Sequence, residues 1–184
     1  KESQVSSLLD RNTNHNSCVG LVEQIPFLKN QKRLTFEKCG KIDSLSFESY
    51  KQNGGLIALR KSLSMSPNEI IDQIRDSGLR GRGGAGFPAG IKWNTVAKQD
   101  SDLKYVVCNA DEGDSGTFAD RLLMEGDPFL LVEGMVIAGI AVGAEKGFIY
   151  IRSEYPDAYR KIKKAIEISN SYNLLGRNIL NSSK

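Results

Sequence analysis

The sequence predicts an α/β fold built on a parallel sheet, and three observations carry that expectation. Leu103–Val107 and Gly147–Arg152 are short apolar runs that read as strands, the first as a buried one and the second as a second core strand. A long apolar segment from Phe129 to about Val142 lies between them and reads as a helix. An amphipathic stretch, Asp157–Ser169, follows the second strand, with Ile162, Ala165 and Ile166 inward. Strand, long helix, strand, helix is the order of a parallel sheet, because a crossover must return the chain to the same end before the next strand. Two strands alone make a poor sheet. The fold class is therefore α/β with a parallel sheet that is incomplete in this chain, preceded by an amino-terminal extension.

The elements follow in order. Residues 1–24 are rich in Ser, Asn and Gln with little periodicity, and read as a flexible arm or linker that contains His15 and Cys18. Residues 25–54 form a connecting segment, with Arg33–Phe36 as a short strand, and Gly54-Gly55 breaks the chain before the domain at 55–184. Leu56–Leu63 reads as a short helix. Ser66-Pro67-Asn68-Glu69 has the pattern of a capping box with proline at the first helical position. Ile70, Ile71, Ile74 and Leu79 give that next helix its apolar face, and Gly78 stops it. Phe118–Met124 reads as helical, and Asp127-Pro128 starts the long helix, where Gly134 and Gly139 permit close packing against a neighbour.

Bulk properties exclude several classes. A net charge of +3 is too small to argue for nucleic acid. The longest apolar stretch, Phe129–Ala144, is interrupted by Glu133 and falls short of the ~18 residues of a membrane span. The first residues carry no apolar signal-peptide core. Cys18, Cys39 and Cys108 lack the short repeated spacing of a metal or cluster site, and His15 lies in the polar arm as a solvated side chain. Cys108, inside Tyr105-Val-Val-Cys-Asn, is read as a small buried apolar side chain. No metal site is expected in this chain, which reads as soluble and from a reducing compartment.

Two segments carry chemistry. Ser77–Trp93 (SGLRGRGGAGFPAGIKW) packs six glycines around Arg80 and Arg82 and ends next to Lys92. Such density costs chain entropy unless the bare backbone is used, and its usual use is close approach to a phosphate that accepts from successive amides. Sixteen residues after Trp93, Asn109-Ala-Asp-Glu-Gly-Asp-Ser-Gly-Thr117 supplies Asn109, Asp111, Glu112 and Asp114 beyond an apolar run. Amide and carboxylate acceptors suit the hydroxyls of a ribityl or ribose chain, and ligands gather beyond the carboxyl ends of parallel strands. Together the segments read as a nucleotide or flavin site. Blander readings stand beside each: a tight packing loop for the glycines, an Asx turn for Asn109 and Asp111, and a core ring for Phe87.

GLRGRGGAGFPAGIKW and VVCNADEGDSGTFADR resemble the flavin-binding core of a family of NADH-oxidising subunits. That family includes the 51-kDa subunit of respiratory complex I and the diaphorase subunits of NAD-linked hydrogenases and formate dehydrogenases. GGLIALRKSL, DRLLMEGDPFLLVEGMVIAGIAVGA and GFIYIRSEYPDAY are similar to it in the same order, so the resemblance runs from about Ile25 to Leu180. It implies a Rossmann-like flavin-binding domain, with residues 55–184 as the amino-terminal part of an FMN- and NADH-binding domain. It also implies that Gly81, Arg82, Gly83 and Gly84 wrap FMN with Lys92 as a cationic partner. Asn109, Asp111 and Glu112 would take the ribityl hydroxyls and the ring edge. Phe87 would stack on the incoming NAD(H), with Glu112 and Asp114 on its ribose side; a carboxylate at 114 would repel the 2′-phosphate of NADP.

No catalytic side chain is implied, since the hydride chemistry belongs to the cofactor and the protein supplies geometry. The resemblance implies an NADH dehydrogenase or diaphorase-type oxidoreductase that passes electrons from NADH through flavin to iron–sulfur clusters. A 4Fe-4S cluster is expected only in carboxyl-terminal chain not contained here, so the 184-residue piece alone is expected to be inactive. Implied partners are other subunits of a multi-subunit redox complex, an iron–sulfur protein among them, with neither nucleic acid nor membrane insertion. The implied location is cytoplasmic or peripheral to a membrane complex. This sequence departs from the family at Ser115, where hydrogenase and formate dehydrogenase relatives carry proline, and at Thr95, where complex I relatives carry an aromatic. The EGD variant and residues 25–50 are closer to the soluble diaphorase branch.

Three other readings remain. A truncated relative could keep the fold as a non-catalytic structural or assembly module. Arg80-Gly-Arg-Gly-Gly mimics an RNA-binding RGG segment, though it is single and flanked by capped helices. A P-loop nucleotidase would need the Gly-Lys-Ser/Thr ending that this loop lacks.

Overall fold

A computed structural model describes residue 21 and residues 24–184, in two units that divide between Leu34 and Thr35. The expected arm at 1–24, with His15 and Cys18, lies outside the described residues apart from Leu21 and Gln24. In the first unit a four-residue helix, α1 (Pro26–Lys29), starts at a proline and buries nothing.

The second unit runs through α2 (Phe47–Gln52), α3 (Ile57–Leu63), α4 (Pro67–Asp76), α5 (Ala89–Ala97), β1 (Tyr105–Ala110), α6 (Ala119–Gly126), α7 (Pro128–Val142), β2 (Lys146–Ile151) and α8 (Pro156–Ser171). The strands pair in parallel, from Tyr105 opposite Lys146 to Ala110 opposite Ile151. The α/β order expected from sequence is therefore present, with α6 and α7 forming the crossover. Because α7 is apolar nearly all round, it can bury every side. It contacts α3, α4, α5, α6, α8 and both strands. Its start is fixed by Asp127, which is buried, accepts from the Leu130 amide at 3.3 Å and pairs with Lys38 at 3.2 Å. Burial pushes the Asp127 carboxyl up, and Lys38 opposes that shift.

The core on one side of α7 joins Phe47, Tyr50, Leu56, Leu59 and Phe129, with the Phe47 and Phe129 rings meeting edge-on at 5.5 Å. Glu133 is buried in it. The Tyr50 hydroxyl donates to its Oε2 at 2.5 Å, the Leu56 amide to the same oxygen at 2.8 Å, and the Leu59 amide to Oε1 at 3.0 Å. Burial first, then that hydrogen bond, pushes the Tyr50 hydroxyl pKa up. α3 begins at Leu56 in the left-handed region (φ 68°) and has no cap of its own, so a glutamate on a distant helix caps it. On the other side, Ala110, Met124, Tyr155, Ala158 and Ile162 close the core over the helix-facing side of the sheet.

Several expectations are corrected. Arg33–Phe36 forms no strand: Arg33 is irregular, Leu34 is in a bend and Thr35 and Phe36 are in a turn, and the Cys39 amide bonds back to the Phe36 carbonyl at 3.2 Å. A strand needs a neighbour for its amides, and among the described residues the sheet holds β1 and β2 alone. The first strand is not buried and lies later than 103–107. Leu103 is exposed outside it, Val106, Cys108 and Ala110 face the helices, and Tyr105, Val107 and Asn109 face outward. Phe148 and Tyr150 are exposed too, because one layer of helices covers a sheet type usually covered on both faces. Leu79 falls beyond the end of α4 and is exposed, and Ile74 and Ile166 are only partly buried. A Cβ at Gly139 would stand 3.3 Å from the Ala144 carbonyl, as close packing requires, but one at Gly134 would meet nothing. Gly134 instead borders a cavity of about 360 Å³ with Trp93, Cys108 and Met135.

Candidate functional site

Three loops carry the candidate groups: 77–88 between α4 and α5, 111–118 after β1, and 152–155 after β2. The first is fixed at both ends. Ser66 and Glu69 form the full capping box of α4, and Gly78 (φ 68°) turns the chain out at the other end of that helix. Gly90, in the first turn of α5, sits so close to α4 that an added Cβ would stand 2.5 Å from the Arg75 Cα. Between these anchors the loop closes on itself. The Gly81 amide donates to the Phe87 carbonyl at 2.9 Å, the Ala89 amide to the Leu79 carbonyl at 2.8 Å, and the Arg80 guanidinium to the Gly86 carbonyl at 2.9 Å.

Inside that closure the backbone is open. None of the amides of residues 82–86 has a hydrogen-bond partner among the described residues. A Cβ built on Gly83, Gly84 or Gly86 would meet no atom within 4 Å. Gly84 has φ 100°, a conformation that favours glycine. Arg82, within the loop, and Lys92, in the first turn of α5, are exposed, and Phe87 is half exposed. A run of bare amides ahead of a helix, in a segment that also carries cations, suits a phosphate. Gly81 takes part differently from its neighbours, because its own amide closes the loop.

The second loop is held by its acids. Asn109 lies in β1, and its Oδ1 accepts from the Asp111 amide at 3.2 Å, which is the Asx turn of the plainer reading. Glu112 adopts φ 47°. Its Oε1 accepts from the Asp120 amide at 2.7 Å, and its Oε2 from the Arg121 amide at 3.2 Å and the Tyr155 hydroxyl at 3.0 Å. The Glu112 carboxylate thus caps α6, which has no cap of its own. Burial, then Glu112, pushes the Asp120 carboxyl up; burial, then Asp120, raises the Cys108 thiol, so that cysteine stays a partly buried, protonated packing group. Asp111 is half buried and Asp114 is exposed.

The third loop holds residues that the sequence patterns do not single out. Arg152 donates to the Glu112 carbonyl at 2.8 Å and pairs with Glu154 at 3.1 Å. Arg152, with help from a backbone amide and Ser153, holds the Glu154 carboxyl down at about 2. Tyr150 lies opposite Asn109 on the uncovered face of the sheet. One signal does point here: the rule that ligands gather beyond strand carboxyl ends applies to β2 as well as β1. The structure joins the second and third loops directly. Among the described residues no hydrogen bond or ion pair links the glycine loop to either, though α5 and β1 share the cavity at Trp93 and Cys108. Among the described residues no cluster of His, Cys, Asp and Glu could hold a metal, and no helix is long and apolar enough to cross a membrane.

Unpartnered amides ahead of a helix, in an α/β unit with acids beyond parallel strands, are the arrangement that suits a phosphate-bearing cofactor. The chain belongs to the family described as the Nuo51 FMN-binding domain, whose model matches residues 74–179. It is 51% identical over 154 residues to the NADP-reducing hydrogenase subunit HndC of Solidesulfovibrio fructosivorans, a match covering 84% of this chain and 31% of that one. It is also 51% identical over 137 residues to an NADH-quinone oxidoreductase subunit of Aquifex aeolicus (strain VF5), covering 74% of this chain and 32% of the relative. Among solved structures, an NAD+-reducing NiFe-hydrogenase in the air-oxidised state matches with a TM-score of 0.61 and 34% identity, over 71% of this chain and 23% of that one. The chain thus spans about a third of the length of these curated relatives.

Proposed function

We propose that this chain forms the FMN-cradling part of an electron-input module that oxidises NADH and feeds iron–sulfur clusters of a larger redox complex. The observation that carries the reading is the run of unpartnered amides at residues 82–86, with open space over Gly83, Gly84 and Gly86. Those residues fit a flavin phosphate, with Gly81 closing the loop and Arg82 and Lys92 supplying charge. Asn109 and Asp111 are the acceptors for ribityl hydroxyls, and half-exposed Phe87 is the ring for the nicotinamide nucleotide to stack on. Glu112 serves by shaping its loop, since its carboxylate is engaged with α6 and Tyr155. When bound, FMN supplies hydride acceptance from NADH and one-electron delivery onward.

The protein's own part is geometric. It holds the phosphate on backbone dipoles, aims the acids of the strand-end loops at sugar hydroxyls and leaves one face free for the incoming base. Exposed Asp114 is the residue for nucleotide choice, because a carboxylate beside a 2′-phosphate is repulsive. The hydrogenase relative's name specifies NADP, so that preference is a matter for measurement. The test is an absorbance spectrum of the protein as its gene encodes it, before and after NADH. Flavin absorbance that bleaches on NADH supports the reading. A colourless protein unable to take up FMN would overturn it and favour a structural or assembly role.

A further inference from the structure

Arg152 and Tyr155 connect the two strand-end loops. Arg152 Nη1 donates to the Glu112 carbonyl at 2.8 Å, and Nη2 reaches Glu154 at 3.1 Å. The Tyr155 hydroxyl lies 3.0 Å from Glu112 Oε2 and 3.4 Å from the Thr117 carbonyl. The Tyr155 ring is buried, with the Arg152 guanidinium 5.3 Å and the Arg121 guanidinium 5.5 Å from its centroid. The single hydroxyl proton goes to the nearer acceptor, so the 111–118 loop is held at Glu112, by its carbonyl through Arg152 and by its carboxylate through Tyr155. The turn that follows carries Asp114, whose carbonyl accepts from the Thr117 amide at 3.2 Å and whose side chain is exposed. Glu112 itself is in the left-handed region, a conformation costing about 1–2 kcal/mol for a side-chain-bearing residue unless its surroundings hold it.

We infer that Arg152 and Tyr155 are positioning residues: they lock the acidic 111–118 loop against the end of β2, so that Asp114 is set before the nicotinamide nucleotide arrives. The inference rests on the proposed function and names what pre-shapes that same site. Preorganisation of this kind lowers the ordering cost of binding.

The molecule contains its own control. Tyr50 donates its hydroxyl to Glu133 in the core beside α3, as Tyr155 does to Glu112 at the strand ends. Tyr155→Phe and Tyr50→Phe each remove one hydroxyl from one carboxylate and keep the ring. Both are made in the FMN-loaded protein as its gene encodes it, and three quantities are measured: the dissociation constant for NADH, the unfolding midpoint, and amide hydrogen exchange over residues 113–118. Tyr155→Phe is expected to raise the NADH dissociation constant about tenfold, equivalent to about 1.4 kcal/mol, and to speed exchange in the loop. Tyr50→Phe is expected to lower the midpoint and leave NADH affinity and loop exchange at wild-type values. Arg152→Lys, which keeps the charge but loses the forked contact, should reproduce the Tyr155→Phe affinity loss. Unchanged NADH affinity in Tyr155→Phe, or an equal loss in Tyr50→Phe, overturns the inference and leaves the functional reading standing. Failure of the wild-type protein to bind FMN or NADH overturns the functional reading itself.

Discussion

Glu133 and Glu112 do the same thing in two places, and the difference lies in what surrounds them. Each caps a helix that lacks its own cap, and each accepts a tyrosine hydroxyl. Glu133 lies wholly inside the core beside Phe47, Leu56 and Phe129, so its hydrogen bonds secure the fold. Glu112 is half buried at the end of the sheet, where the loop it shapes carries exposed Asp114. The glycines divide along the same line. Gly55, Gly90 and Gly126 are filled, with an added Cβ standing 2.3, 2.5 and 2.6 Å from its nearest neighbour, whereas Gly83, Gly84 and Gly86 face empty space. Saturated carboxylates and filled glycines lie in the scaffold. Open amides and exposed acids lie in the candidate site.

That division can be broken most sharply at Glu133. Glu133→Ala leaves two amides and the Tyr50 hydroxyl unpaired in the core and is expected to cost about 4 kcal/mol in urea unfolding. Glu112→Ala, at the wetter position, should cost about 2 kcal/mol. Equal costs would erase the distinction between the two carboxylates. Next, Gly90→Ala drives a methyl into the α4 backbone at Arg75 and is expected to lose about 3 kcal/mol. Gly83→Val, also a glycine substitution, should change stability by less than ~1 kcal/mol while abolishing FMN uptake, because its side chain enters space no residue occupies.

Parts of this were legible in the sequence because they are local. The capping box at Ser66 and Glu69 and the Asp127-Pro128 start are written in neighbouring residues, and both helices begin where that chemistry puts them. The parallel pair followed from the order of apolar runs. What the sequence hid are partnerships at a distance. Tyr50 and Glu133 are 83 positions apart, and Glu112 and Tyr155 are 43 apart, and no periodicity announces either pair. Glu133 looked like an interruption of an apolar helix and is its most connected side chain. Arg33–Phe36 failed for the converse reason: a strand-like pattern forms no strand without a neighbour to take its amides.

Smaller effects sharpen the site half of the comparison. Asp114→Ser should leave stability within ~0.5 kcal/mol of wild type and raise the NADPH-to-NADH ratio of kcat/KM. An unchanged ratio would remove Asp114 from nucleotide choice. The smallest effect concerns pH. The Glu154 carboxyl is held at about 2, below its ordinary 4.5, so its contribution to stability is present above 4.5 and is lost as pH falls toward 2. Wild type and Glu154→Gln should therefore differ slightly in unfolding midpoint at pH 7 and converge on acidification. Because the pair is exposed, salt should shrink the difference, and a gap that widens on acidification would contradict the ion pair with Arg152.

The proposed role of the open amides of residues 82–86 is to hold a flavin phosphate. It is tested most directly by titrating FMN into wild-type protein and Gly83→Val side by side, following quenching of flavin fluorescence and measuring both unfolding midpoints. Wild type is expected to bind stoichiometrically and saturably, and Gly83→Val not at all, at an almost unchanged midpoint. Equal binding by the two proteins would contradict it and show that the glycine loop does not hold the cofactor.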